Sequence, residues 1–180
     1  MKKIIVVATA AMVLAGCQTV RHDPILTGVA VDGGNSIPRR HVSFERHHKP
    51  GTIVISTKER RLYLVTGEGE ALRYGVGVGR LGFAWRGVHH VSAKREWPDW
   101  TPPPQMLRRQ PDLPRYMPGG AENPLGARAL YLGSTLYRIH GSNEPETIGS
   151  AVSSGCFRLT NDDVIDLYNR VRIGATVVVL

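Results

Sequence analysis

Two short stretches carry side chains able to do covalent chemistry. Arg138-Ile139-His140-Gly141-Ser142-Asn143-Glu144-Pro145 holds an imidazole, and sixteen positions beyond it Ser153-Ser154-Gly155-Cys156-Phe157-Arg158-Leu159 holds a thiol. A thiol is weakly ionised at neutral pH; an imidazole beside it can take its proton, and the ion pair then stabilises the thiolate nucleophile. His140 can afterwards protonate a leaving amine. A glycine directly before the nucleophile lets backbone N–H groups approach a carbonyl oxygen, so the Gly155 and Cys156 amides are candidates for an oxyanion hole. Cys156 has one companion thiol in the chain, Cys17 near the N-terminus, so a disulfide framework does not organise the fold.

These groups need a scaffold, and its signals are mostly those of β-structure. Thr52-Ile53-Val54-Ile55-Ser56-Thr57 and Arg61-Leu62-Tyr63-Leu64-Val65-Thr66 flank a polar turn and predict a hairpin. Further strand-like runs lie at 71–78, 88–94, 128–133, 135–140, 151–157 and 175–180, bounded by Gly, Pro or Asn. Thr160-Asn161-Asp162-Asp163, followed by Val164, Ile165, Leu167, Tyr168 and Val171 at helical spacing, predicts one short helix directly after the strand bearing Cys156. Prolines interrupt 97–126, which reads as a long loop serving as a lid or as part of a substrate site. Gly75-Val76-Gly77-Val78-Gly79 superficially suggests a phosphate loop, but no helix is predicted after it and a tight strand end is the expectation. Tyr131 and Tyr137 are expected to pack, and the neighbours His89 and His90 to face opposite sides of a strand.

The His-Gly segment paired with a downstream Ser-x-Gly-Cys-x-Arg resembles the signature of the L,D-transpeptidase catalytic domain, the YkuD family. The resemblance covers about 51–180. It includes Asn123-Pro124-Leu125-Gly126-Ala127-Arg128 and Trp97-Pro98-Asp99-Trp100-Thr101-Pro102-Pro103, which are similar to the ErfK/YbiS/YnhG branch. It departs at Ser154, where many members carry an accessory histidine, and at Phe83-Ala84-Trp85-Arg86-Gly87, where many have a Thr-Pro-Thr-Gly run. The resemblance implies a mainly β domain, a β-sandwich or barrel-like mixed sheet, acting without cofactor or metal. Cys156 would attack the carbonyl before the terminal D-Ala of a peptidoglycan stem tetrapeptide, with His140 as proton donor and acceptor and the Gly141 backbone carbonyl orienting the imidazole. An amine of another stem, or of a wall-attached protein, would resolve the thioester; water in its place would make a carboxypeptidase. Ser153 is expected to hydrogen-bond within the motif. Arg158 either meets a substrate carboxylate or forms a salt bridge that props the loop. Sortases share the residue types but carry Thr-Leu-x-Thr-Cys, absent here, and papain-like enzymes place Cys before His. A non-catalytic wall-binding lipoprotein is the remaining alternative.

Met1-Lys2-Lys3, the apolar run Ile4 to Val13 and Leu14-Ala15-Gly16-Cys17 form an export signal over 1–16. Its end resembles the bacterial lipobox, which makes Cys17 the lipidation site and a membrane the partner of the N-terminus. Gln18 at the next position favours the outer membrane over the inner one, facing the periplasm. Residues 17–50, with Gly33-Gly34 and an Arg/His-rich run, read as lipidated Cys and flexible tether before a catalytic domain at 51–180. His22, His41, His47 and His48 lack metal-ligand spacing. The 180-residue chain carries a net charge of +8, yet shows no basic helix stripe and no aromatic interleaving, so no nucleic acid partner is expected.

Overall fold

The computed structural model describes residues 37–180 except Arg46; the expected signal segment and Cys17 lie outside the described residues. Eleven strands and two helices follow one another in the order β1 Arg40–Ser43, β2 Ile53–Ser56, β3 Arg61–Gly67, β4 Glu70–Gly75, β5 Val78–Gly79, β6 Gly87–Glu96, α1 Pro104–Arg109, β7 Arg128–Leu132, β8 Arg138–His140, β9 Ala151–Ser153, β10 Phe157–Arg158, α2 Asn161–Arg170 and β11 Thr176–Val179. Nine strands form one mixed sheet ordered β1-β4-β3-β2-β11-β6-β7-β8-β10, and β5 pairs with β9 apart from it. The chain just after β4 returns to the far edge, where Gly77 and Arg158 exchange N–H···O bonds of 2.8 and 2.9 Å. The sheet therefore curls toward a barrel, and the curl brings the loop before β10 against the turn after β5.

Side-chain alternation explains the layers. Leu62 and Leu64 of β3 and Val177 and Val179 of β11 enter the main core, while Val65 and Val178 face a smaller second cluster with Phe44, Val54 and Ala71. All four residues of β2 are buried because it lies between β3 and parallel β11 and is covered on both faces, which is why Ile-Val-Ile reads as an unbroken apolar run. The predicted hairpin is β2–β3, with Arg60 in its turn at φ 56°.

Helix α2 follows β10 as expected. Thr160 is its N-cap, its Oγ accepting from Asp163 N at 3.2 Å, and Asp162 and Asp163 oppose the positive end of the helix dipole. Val164 and Leu167 point into the core, each contributing about 1.5–3 kcal/mol by burial. At its other end Lys94 Nζ donates to the carbonyls of Tyr168 and Val171 at 2.5 and 2.7 Å, holding the helix against β6.

Two expectations are corrected. Residues 39–44, placed in the tether by sequence, are part of the folded body: β1 pairs antiparallel with β4, Phe44 is buried, and Arg39 bridges to Asp163 at 3.2 Å and to Asp166 at 3.6 Å. The strand expected over 151–157 is two strands, β9 and β10, broken at 154–156 by a turn containing Gly155 at φ 110°. Within 97–126 the chain is ordered by an antiparallel bridge between Trp100 and Met117 and contains the six-residue α1. The glycines at 75–79 run as strand and turn, with no helix after them.

Candidate active site

Parallel pairing of β8 with β10 sets Phe157 opposite Ile139 and Arg158 opposite His140. Phe157 and Ile139 are buried in the core. Alternation then places Arg138, His140 and Arg158 on the opposite face of this edge, and Arg138 and Arg158 both act on the Cys156 thiol beside them. The thiol of Cys156 is partly accessible and lies 3.8 Å from the Leu136 carbonyl.

His140 is only 4% exposed, and its Nδ1 stands 2.6 Å from the Gly141 carbonyl oxygen. A carbonyl only accepts, so Nδ1 carries the hydrogen, and in the neutral ring Nε2 is the free base. Burial pushes the imidazole pKa down to about 3; the Arg158 and Arg138 guanidiniums push the same way, against the Gly141 carbonyl, which favours the cation. Burial raises the Cys156 thiol, opposed by the Arg138 amide and guanidinium and by Arg158. Both shifts favour the neutral forms of the thiol and the imidazole.

Gly141 is fixed on both sides. Its N–H donates to Arg128 O at 3.0 Å, and the side chain of Asn161, at the start of α2, occupies the space a Cβ there would need. That same Asn161 Oδ1 accepts from Ala127 N at 2.9 Å, so the start of α2 locks the end of β8 and the start of β7 together. The orienting carbonyl is thus held by three elements.

The turn before Cys156 is built around Ser153. Its hydroxyl donates to Cys156 O at 2.6 Å and accepts from Gly155 N at 3.1 Å. This bears out the expected bond within the motif. The Gly155 N–H, one of the two expected oxyanion donors, is taken up inside the turn by the Ser153 hydroxyl. Gly155 has a different role, since a Cβ there would come within 2.6 Å of Tyr137 Cε1. Trp85 seals this side by donating from Nε1 to Gly155 O at 2.8 Å and stacking on Tyr137 at 4.4 Å.

The other expected residues fall into place around this centre. Arg158 forms an ion pair with Glu144 at 2.8 Å, the loop-propping alternative, and Glu144 N donates to Ser142 Oγ at 2.9 Å. Ser154 Oγ accepts from Arg80 Nη1 and Arg109 Nη2, each at 3.4 Å. Tyr137 packs as expected, and Tyr131 lies under the Arg138 guanidinium at 5.1 Å. His89 meets the edge of Trp85 while His90 is exposed. Arg138 was missed by sequence reading although its spacing of two from His140 on a strand signals a shared face. Trp85, Arg80 and Arg109 reach the site only through long-range folding and carry no local signal.

Residues 50–179 match the family model of the L,D-transpeptidase catalytic domain, YkuD. Residues 1–18 match that of the prokaryotic membrane lipoprotein lipid attachment site. The chain is similar to the probable L,D-transpeptidase ErfK/SrfK of Escherichia coli, with 38% identity over 137 residues, covering 71% of this chain and 43% of that protein. It thus spans less than half the length of that curated relative. A crystal structure from Brucella melitensis, called a probable carnitine operon oxidoreductase, is 49% identical with TM-score 0.54 over 79% of this chain and 93% of the other. An L,D-transpeptidase from Mycobacterium smegmatis shares the fold, with TM-score 0.56 and 20% identity over 72% of this chain and 58% of the other. The word oxidoreductase belongs to the Brucella protein's name; the glycine run at 75–79 here has none of the strand-to-helix geometry of a dinucleotide loop.

Proposed function

Since this chain belongs to the L,D-transpeptidase catalytic domain family, we propose that it forms a Cys156 thioester with a peptidoglycan stem tetrapeptide, releases D-Ala, and passes the acyl group to an amine. The observation that carries this reading is the His140 Nδ1–H bond to the Gly141 carbonyl at 2.6 Å, which turns a neutral Nε2 lone pair into the available base beside the thiol's face.

The step balances as follows. Cys156 sulfur attacks the carbonyl carbon before D-Ala as its proton passes to His140 Nε2. The developing oxyanion meets the Cys156 N–H. The imidazolium, disfavoured by burial, is stabilised by donation from Nδ1–H to Gly141 O, the task a carboxylate performs in other triads. Collapse breaks the C–N bond, and the amine of D-Ala leaves with the proton from Nε2. An incoming amine of a second stem or of a wall-attached protein then attacks the thioester, gives its proton to His140, and the thiol is restored. Water in the amine's place would release a tripeptide.

Ser153 holds the Gly155–Cys156 turn, and Arg158 is a positioning residue through Glu144 rather than a group in contact with substrate. The lipid attachment match at 1–18 supports membrane anchoring in the cell envelope through Cys17. The finer assignment is the periplasmic face of the outer membrane, supported by Gln18 after the lipidated position. A carbapenem tests the nucleophile, since its strained lactam acylates a thiol without needing an acceptor. The protein mass is expected to rise by one carbapenem in the parent and to stay unchanged in Cys156→Ala. An unmodified parent, or equal modification of the variant, would count against the assignment.

A further inference from the structure

The turn that carries Ser154 and Cys156 has an unusual charge arrangement beside it. Arg80 and Arg109 come from different parts of the chain, the turn after β5 and the end of α1 in the 97–126 loop, yet both direct a guanidinium at one neutral atom, Ser154 Oγ, at 3.4 Å each. Both also lie over the same ring, with the Arg80 and Arg109 guanidinium carbons 4.3 and 5.4 Å from the Phe83 centroid. Two nitrogens that share one contact atom at this distance are within one Debye length, about 8 Å at physiological salt, so they repel with little screening. Among the described residues neither arginine has a carboxylate partner. Arg80 Nη1 also reaches Val152 O at 3.5 Å; bonds of 3.4–3.5 Å are at the long end for N–H···O, and the remaining guanidinium N–H groups of both arginines are left as donors.

Arg80 and the Phe83 ring are held in place by the backbone around them. Arg80 N donates to Ser153 O at 3.0 Å, Phe83 N closes the turn onto Arg80 O at 2.8 Å, and Gly79 has no room for a Cβ because the Phe83 carbonyl would stand 2.5 Å from it. The β5 turn is thereby fixed to the turn that carries Ser154 and Cys156. Convergent guanidiniums over an apolar ring, with a hydroxyl between them and no carboxylate side chain paired with either among the described residues, make a receptor for a planar carboxylate.

We propose that Arg80 and Arg109 clamp the terminal carboxylate of the acyl donor, that of the departing residue. This rests on the acyl-transfer reading above. Ser154 is two residues before the nucleophile, and that carboxylate is the charged group of the donor nearest the scissile bond, one Cα beyond the leaving nitrogen. The clamp selects a donor with exactly one residue after the scissile carbonyl, since a longer peptide would place a neutral amide between the guanidiniums. It also gives the 97–126 loop a function, because half the clamp arrives on α1.

The test uses the full chain in detergent micelles, carrying Cys156→Ala to prevent turnover, titrated calorimetrically with stem tetrapeptide and with the same peptide ending in a carboxamide. The acid is expected to bind about tenfold more tightly than the amide, a difference that shrinks at high salt. Arg80→Gln/Arg109→Gln should weaken the acid about tenfold and leave the amide unchanged, so that the two ligands bind alike. Should that variant misfold by circular dichroism, the single Arg109→Gln, on an exposed position, is expected to remove part of the preference. Equal binding of acid and amide by the parent, a preference that survives the double substitution, or no binding of either would overturn the clamp. Product formation by the chain with Cys156 intact is read separately. Acid preference without any Cys156-dependent product would leave the clamp standing and overturn the acyl-transfer reading instead.

Discussion

Burial acts in opposite directions on the two reacting groups, lowering the His140 pKa to about 3 and raising that of the Cys156 thiol. Both shifts favour the neutral forms. Iodoacetamide should therefore alkylate Cys156 at pH 7 more slowly than a free cysteine, with the rate climbing above the ordinary thiol range; fast, pH-independent alkylation down to pH 5 would demonstrate a resting ion pair. The same imidazole links pH to stability. Its folded pKa is depressed below the unfolded value of about 6.5, so the unfolded chain binds more protons between the two. Stability is complete above about pH 6.5 and is lost as pH falls toward 3, by on the order of a few kcal/mol. Urea denaturation of the parent and of His140→Gln at pH 7 and pH 4.5 checks this, the variant being expected to show a flatter dependence. Residue types alone pointed to Cys156 and His140 as candidates and to the Ser153 bond, because those expectations follow from local chemistry. They did not reveal that the Gly155 amide is already occupied. Gly155→Ala tests the actual role of that glycine: φ 110° and the approach of Tyr137 disfavour any Cβ, and acylation should fall at least about a hundredfold for a strain of roughly 3 kcal/mol at the site.

At the scale of elements, the hairpin, the strand around 128–133 and helix α2 were legible because their apolar pattern is strong, and the strand around 88–94 from β-prone residues bounded by turn signals, since only Val91 of it is buried. Strand β1 was not. Arg-His-Val-Ser carries one apolar residue, and its place is decided by β4, whose edge it covers, and by Arg39 reaching α2. A chain starting at residue 51, where sequence sets the domain boundary, should consequently melt about 5 °C or more below one starting at residue 37, since it loses Phe44 and the Arg39 bridges. Equal melting temperatures would return 37–50 to the tether. The proline-rich loop is likewise ordered by a residue that periodicity cannot flag. Asn123 is buried, its amide donating to the carbonyls of Pro98, Met117 and Pro118 at 3.2, 3.3 and 2.9 Å, while its Oδ1 accepts from Leu125 N at 2.9 Å. Asn123→Ala strands these groups and should cost about 3 kcal/mol in chemical denaturation. A variant as stable as the parent would show that the loop is held by other contacts.

For the whole molecule, residues 1–18 match a lipid attachment site, and in the curled sheet the thiol sits directly before β10. Cys17→Ser is expected to move the protein from the membrane to the soluble fraction while leaving carbapenem acylation of Cys156 intact, which separates anchoring from chemistry. The central claim is that Cys156 takes the acyl group of a stem tetrapeptide and gives it to an amine. Mass spectrometry of the full chain mixed with purified disaccharide-tetrapeptide, following both the products and the protein, tests it most directly. A cross-linked dimer that has lost one D-Ala is expected, with a transient acyl adduct on Cys156, both absent in Cys156→Ala. Unchanged substrate and protein, or products that form equally with Cys156→Ala, would contradict it.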